Sequence, residues 1–162
     1  MNDLSFLLNP RSIAILGASD DFTKISGRTL KYLLAKGYAG AIYPVNPRHR
    51  RIADLKCYPS VDALPEAVDL AVVALPARFV AQALKDLGER KTRSAIVFSS
   101  GFAETGESGR ILEQEVIAAA SAAKVLVCGP NCLGLAGSVP IASGQPYSST
   151  HSSLRWHRAA AS

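Results

Sequence analysis

Five short apolar runs recur along the chain, and the residues between them return their apolar positions at helical spacing. The runs are Ser12-Ile-Ala-Ile-Leu16, Ala41-Ile-Tyr-Pro-Val45, Leu70-Ala-Val-Val-Ala74, Ser94-Ala-Ile-Val-Phe98 and Val125-Leu-Val127. They are β-rich and show no strict apolar-polar alternation, which is the pattern of strands buried on both faces. Between them, Leu30, Leu33 and Leu34 lead to a stop at Gly37, and Val80, Leu84 and Leu87 share one face of a helix ending near Gly88. A third helix is predicted over 108–123, burying Leu112, Val116, Ala119 and Ala123. Pro44 is expected near the end of its strand, where a missing ladder N–H does least harm.

Strands alternating with helices imply right-handed βαβ units. The expected fold class is α/β, a Rossmann-like doubly wound parallel sheet in three α/β/α layers. Residues 1–135 read as one domain. Residues 136–162 are serine-rich, lack a hydrophobic period and end in Arg155-Trp-His-Arg158, so they read as an irregular or truncated tail.

Charge adds a location to this picture. The net charge is +5, yet Phe22 to Ala53 contains Lys24, Arg28, Lys31, Lys36, Arg48, Arg50 and Arg51 with no acid. That concentration suits either an anionic ligand or a solvated basic face. No apolar run approaches the roughly 18 residues of a membrane span, and Met1 to Asn9 lacks the basic start of a secretory signal. Three cysteines without framework spacing fit a reducing compartment, and the expected location is cytoplasmic. Cys128 and Cys132 have no histidine or second cysteine pair nearby, so no metal site is expected.

Ligands on such sheets bind beyond the carboxyl ends of the strands, near the point where strand order reverses. The residues there are Gly17-Ala-Ser19, Asn46-Pro-Arg48, Leu75-Pro76, Ser99-Ser-Gly101 and Pro130-Asn131. A dinucleotide fingerprint requires G-x-G-x-x-G after the first strand and an acid after the second. Here Gly17-Ala-Ser-Asp-Asp-Phe22 keeps only the first glycine, and Asn46-Pro-Arg-His-Arg-Arg51 has no acid, which disfavours NAD.

Gly17 still permits a tight turn before a helix N-terminus, with Ser19 adding a hydroxyl, so the loop suits either a pyrophosphate or a plain βα turn. Asp20 and Asp21 would repel phosphate if they pointed inward, and are expected to cap the helix or face solvent. Arg48, His49, Arg50 and Arg51 stand where the adenosine end of a nucleotide would lie. Arginine forks there suit an extra ribose phosphate, which both NADP and coenzyme A carry. Ser99-Ser-Gly101 fits a structural turn as well as close backbone approach to a ligand, and Glu104 fits a polar anchor or a solvated acid. Cys132 has no base to activate it, since His49 is the sole histidine outside the tail. No catalytic residue is assigned.

Six stretches together resemble the coenzyme A-binding domain of acyl-CoA synthetases that form nucleoside diphosphates. They are Asn9-Pro-Arg-Ser-Ile-Ala-Ile-Leu-Gly-Ala-Ser19, Tyr43-Pro-Val-Asn-Pro47, Cys57-Tyr-Pro-Ser60, Val68-Asp-Leu-Ala71, Phe98-Ser-Ser-Gly-Phe-Ala-Glu104 and Gly129-Pro-Asn-Cys-Leu-Gly134, in family order over residues 9–135. The family includes ADP-forming acetate–CoA ligase, related protein acetyltransferases and the succinyl-CoA synthetase α subunit.

The resemblance implies that Gly17, Ala18, Ser19 and Asp20 lie on the coenzyme A phosphates or adenosine, with Asn46, Pro47, Arg48 and His49 around its adenosine phosphate end. It also implies Ser99, Ser100 and Gly101 along the pantetheine and Asn131 near the thiol, while Pro76 joins the same cleft by its position just after the third strand. The family's phosphohistidine and ATP-grasp domains have no counterpart in these residues, and His151 and His157 in the tail do not take the phosphohistidine role. The implied function is binding of coenzyme A or acyl-CoA as part of a ligase, incomplete in catalysis without an ATP-grasp partner chain. A stand-alone coenzyme A-binding regulatory module and an NADP-dependent oxidoreductase are the alternatives. A homo-oligomer is left open, and neither a nucleic-acid nor a membrane partner is expected.

Overall fold

The computed structural model describes residues 5–129 together with a short strand pair at 134–135 and 141–142. In chain order the elements are α1 (Ser5–Leu8), β1 (Ser12–Leu16), α2 (Ile25–Ala35), β2 (Ala41–Val45), β3 (Arg51–Ile52), β4 (Leu55–Lys56) and β5 (Leu70–Val73). There follow α3 (Ala77–Glu89), β6 (Ser94–Val97), a 3-10 turn at Ala103–Thr105, α4 (Glu107–Ala123), β7 (Leu126–Cys128), β8 (Gly134–Leu135) and β9 (Ile141–Ala142). Five strands form one parallel sheet in the order β2-β1-β5-β6-β7. The first crossover moves outward to β2 and the later ones move the other way, so the order reverses between β1 and β5.

Because side chains alternate across a strand, the sheet feeds two separate cores. Ala14, Leu16, Ala71, Val73, Ala95, Val97 and Val127 pack with Val80, Leu84 and Leu87 of α3 and Val116 and Ala119 of α4. Their neighbours Ile13, Ile15, Leu70, Val72, Ile96, Phe98 and Cys128 pack on the other side with Leu7 of α1 and Leu30 and Leu33 of α2. This is the three-layer doubly wound arrangement expected from the strand rhythm. Burying each of these Leu and Ile side chains contributes about 1.5–3 kcal/mol.

Local details refine these readings. Leu34 is 42% exposed and does not join the core, because the buried stripe of α2 runs through Ser26, Gly27, Thr29, Leu30 and Leu33. Gly88 lies inside α3, where a Cβ would strike that of Ala123, so it serves the crossing of α3 and α4. The left-handed residue that ends α3 is Lys91 at φ 60°, with the Thr92 N–H bonded back to the Leu87 carbonyl at 2.9 Å. Finally, Leu112 and Ala123 are only partly buried on α4, and β7, the last strand of the parallel sheet, starts one residue later than its apolar run. Gly37 behaves as expected, closing α2 at φ +66° with Tyr38 N–H bonded to the Leu33 carbonyl at 3.0 Å.

β2 is an edge strand. Ala41 donates to the Arg11 carbonyl and the Val45 carbonyl accepts from Gly17, so these positions of β2 face β1 and Pro44 faces outward. The missing N–H of Pro44 therefore costs no ladder bond, while its carbonyl accepts from Tyr58 N–H at 2.9 Å. At the opposite end of the sheet, the Asp69 carboxylate accepts from the Arg11 N–H at 2.8 Å and its backbone oxygen accepts from the Ser94 hydroxyl at 2.7 Å. The pair β8–β9 spans the boundary placed at residue 135, and the remainder of the tail lies outside the described residues.

Candidate functional site

The loops that follow β1, β2, β5 and β6 meet at the carboxyl edge of the sheet, on either side of the reversal point. Gly17 turns there at φ +81°, and a Cβ at this position would run into the Ala74 carbonyl oxygen. The turn thus draws the β1 and β5 loops closer together than any other residue could. Both Gly17 N–H and Ala18 N–H donate to the Val45 carbonyl, at 2.9 and 3.3 Å. Those donors are therefore used by the protein itself. Among the described residues no acceptor is bonded to the next two backbone donors, Ser19 N–H and Asp20 N–H, which leaves them for an anion.

Ser19 is buried, and its hydroxyl accepts from Asp21 N–H at 3.0 Å. Asp20 faces solvent as expected, but neither acid caps α2, whose N-cap is Lys24. The Asp21 carboxylate instead accepts from the Thr23 hydroxyl at 2.6 Å and the Thr23 N–H at 3.0 Å. Those two bonds, with the Lys24 ammonium at 3.5 Å, hold its pKa below the ordinary carboxylate value. Its charge is thereby turned into its own loop.

The second loop is organised by Asn46. Its amide nitrogen donates to the Ala18 carbonyl at 2.8 Å, and its amide oxygen accepts from Arg48 N–H at 2.9 Å. Asn46 N–H donates to the Tyr58 carbonyl at 2.9 Å, and the Asn46 carbonyl accepts from His49 N–H at 3.3 Å. The base of the loop is thus clamped, while Pro47 and Arg48 remain exposed and His49 half-buried. Among the described residues, the guanidinium groups of Arg48 and Arg50 have no carboxylate partner, so both are available to a phosphate.

The clamp depends on a turn with an unusual sequence. Ala53 and Asp54 join β3 to β4 at φ 47° and 63°, and Arg51 Nη2 donates to the Asp54 carbonyl at 2.5 Å. The hairpin returns the chain so that Tyr58 runs beside Val45. Tyr58 also meets Tyr43 edge to face at 5.8 Å. Sequence reading assigned Tyr58 no role. It sits within a matched stretch, but 57–69 carries no period that would place it beside β2.

The third and fourth loops lock together. The Ser99 hydroxyl, buried, accepts from Leu75 N–H at 3.2 Å, and Gly101 at φ +101° would bring a Cβ to 3.4 Å from that of Ala77. Glu104 proves to be an anchor, its carboxylate accepting from Gly101 N–H at 2.6 Å. Pro76 and Ser100 are exposed beside this seam. Phe102 is fully buried beneath it.

The structure thus gathers Gly17 to Asp20, Asn46 to His49, Pro76 and Ser99 to Gly101 onto one edge. Asn131, expected at the same edge, lies outside the described residues, as do Cys132, His151 and His157. Cys57 is buried and its Sγ lies 3.6 Å from the Asn46 carbonyl; burial pushes its thiol pKa up, the opposite of an activated nucleophile. No group of three metal-ligating side chains occurs among the described residues, and no helix among them is long and apolar enough to cross a membrane.

Residues 11–138 match the family model described as the CoA binding domain. Among curated relatives, the ADP-forming acetate–CoA ligase I of Archaeoglobus fulgidus is 40% identical over 129 residues, covering 80% of this chain and 18% of the relative. The α subunit of ADP-forming acetate–CoA ligase II of Pyrococcus furiosus is 39% identical over 133 residues, covering 82% of this chain and 29% of that subunit. Among solved structures, the dinucleotide-forming acetyl-coenzyme A synthetase 1 of Ca. Korarchaeum cryptofilum, in complex with phosphate and ADP, superposes with a TM-score of 0.82 at 38% identity. That match covers 90% of this chain and 32% of the solved one. The chain therefore spans less than a third of the length of each of these relatives.

Proposed function

Given that the chain belongs to the CoA binding domain family, we propose that it binds coenzyme A across the carboxyl edge of its sheet, as the coenzyme A-holding part of an ADP-forming acyl-CoA ligase. Coenzyme A is a substrate of that reaction. The observation that carries the reading is the pairing of a phosphate cradle with an arginine loop. Ser19 and Asp20 N–H take the pyrophosphate, beside Gly17 and Ala18. Arg48, flanked by Pro47, His49 and Arg50, takes the 3′-phosphate. Asn46 holds the two loops in register.

The pantetheine arm then follows Pro76, Ser99, Ser100 and Gly101, and Asn131 approaches the thiol. Ser99 and Glu104 keep this path rigid through their bonds to Leu75 and Gly101. The chain supplies binding and orientation, which limits the freedom of a flexible thiol before it meets an acyl group. Phosphoryl transfer is assigned to an ATP-grasp partner and a phosphohistidine domain, and the location to the cytoplasm.

The test is thermal unfolding of the purified chain with coenzyme A, dephospho-coenzyme A and NADP in parallel. A ligand at about 100 times its dissociation constant adds about 2.7 kcal/mol, or roughly 5–11 °C for a domain of this size. A rise with coenzyme A, smaller with dephospho-coenzyme A and absent with NADP, is the expected result. A rise with NADP alone would overturn the proposal in favour of an oxidoreductase.

A further inference from the structure

Asn46 is well placed to set distance, because each end of its amide already holds a group of a different loop segment. One end holds the Ala18 carbonyl, immediately before the free Ser19 and Asp20 donors; the other holds Arg48 N–H, the first residue of the cationic stretch. Its backbone is fixed as well, through Tyr58, His49 and the Cys57 thiol. A single side chain thus bridges a loop placed to bind one phosphate group and a loop placed to bind another.

We propose that Asn46 is a positioning residue that sets the spacing between these two loops, and so determines the preference of the site for a nucleotide with a ribose phosphate over one without. The proposal rests on the coenzyme A reading given above. Coenzyme A presents its pyrophosphate and its 3′-phosphate at a separation fixed by the ribose. It engages both loops together only when their spacing matches. Dephospho-coenzyme A uses the first loop alone and does not sense that spacing. Loss of the tether therefore weakens the two ligands unequally.

Two substitutions separate the tether from the local turn. Asn46→Ala removes both side-chain bonds. Asn46→Ser keeps an oxygen able to accept from Arg48 N–H, as serine does in turns, but is too short to reach the Ala18 carbonyl. Dissociation constants for coenzyme A and dephospho-coenzyme A are measured by calorimetry on the full chain, with unliganded melting curves as the folding control. For both variants coenzyme A is expected to weaken about tenfold and dephospho-coenzyme A by less than about twofold, so the preference collapses.

Equal weakening of the two ligands would overturn the proposal, as would an Asn46→Ser variant that keeps the wild-type preference. If Asn46→Ala does not fold, Asn46→Ser alone decides the matter by the same criterion. Failure of the wild-type chain to bind coenzyme A would instead remove the functional reading beneath it, and that outcome is visible before any variant is made.

Discussion

Two glycines at positive φ allow the geometry of the first loop to be tested against an internal reference. Gly17 and Gly37 sit at φ +81° and +66°, so alanine at either position pays for a left-handed conformation, about 1–2 kcal/mol. Both substitutions also gain the same small stabilisation from a stiffer unfolded chain, which cancels in the comparison. The surroundings differ. Around Gly37 nothing lies within 4 Å of the added Cβ, whereas at Gly17 the Cβ meets the Ala74 carbonyl oxygen and approaches Leu75 Cδ2 to 3.1 Å.

The obstacle at Gly17 is backbone, and it belongs to a residue whose N–H is bonded to the Leu16 carbonyl at 3.0 Å, so it cannot step aside freely. Relieving the overlap costs about 1–3 kcal/mol more. At about 2–4 °C per kcal/mol, Gly17→Ala is expected to melt roughly 2–12 °C below Gly37→Ala. It should also lose its response to coenzyme A, while Gly37→Ala keeps it. Scanning calorimetry of the two variants, with and without ligand, reads both effects. Equal melting points, or a Gly17→Ala protein with an undiminished coenzyme A shift, would refute the argument that this turn is built by close approach.

Two further predictions concern the end of the sheet remote from the site. Tyr38 donates to the Pro10 carbonyl at 2.9 Å; burial first, and then the Asp69 charge, push its pKa from 10.0 up to about 12. Because the folded value lies above the unfolded one, the stabilisation is complete below pH 10 and is lost as pH rises toward 12. Wild type should therefore lead Tyr38→Phe in denaturant midpoint at pH 8 by more than at pH 11.5, and an unchanged gap would count against it. The Arg11 side chain is 87% exposed, so its pairing with Asp69 at 3.6 Å is screened and Arg11→Ala should cost less than about 0.5 kcal/mol. Asp69→Ala removes the acceptor of Arg11 N–H and should cost about 1 kcal/mol by urea unfolding; matching losses in the two variants would show that the charge, not the backbone bond, matters.

The layered sheet was legible because its cause is written locally. Strands such as Leu70–Val73 must be apolar on both faces, and α3 shows its stripe at Val80, Leu84 and Leu87. The edge of the sheet where the candidate loops meet followed from the same rhythm. Features built by contacts distant in sequence were hidden. The β3–β4 hairpin has two-residue strands and turns through Ala53 and Asp54, whereas the readable signal for such a turn is Asn-Gly or Asp-Gly. The resemblance placed Asn46 in the loop around the adenosine phosphate end, but it carried no sign of the side-chain bonds that organise that loop. Only the position of the Ala18 carbonyl, 28 residues earlier in the chain, reveals that its amide ties the two loops together. Spacing also did not show that Thr29 and Gly27 define the buried side of α2 together with Leu30 and Leu33.

The outward-facing proline of β2 has a bearing on how copies of this chain meet. A strand arriving from another molecule would need donors along the open side of β2, and at Pro44 there is none. The carbonyl at that position is already bonded to Tyr58, so an incoming strand would also have to displace the chain's own segment. Sheet-to-sheet templating, the route by which exposed β edges seed aggregates, is thereby hindered at this part of the margin. At Pro44, then, this margin offers an incoming strand no donor and a carbonyl that the chain's own Tyr58 already uses.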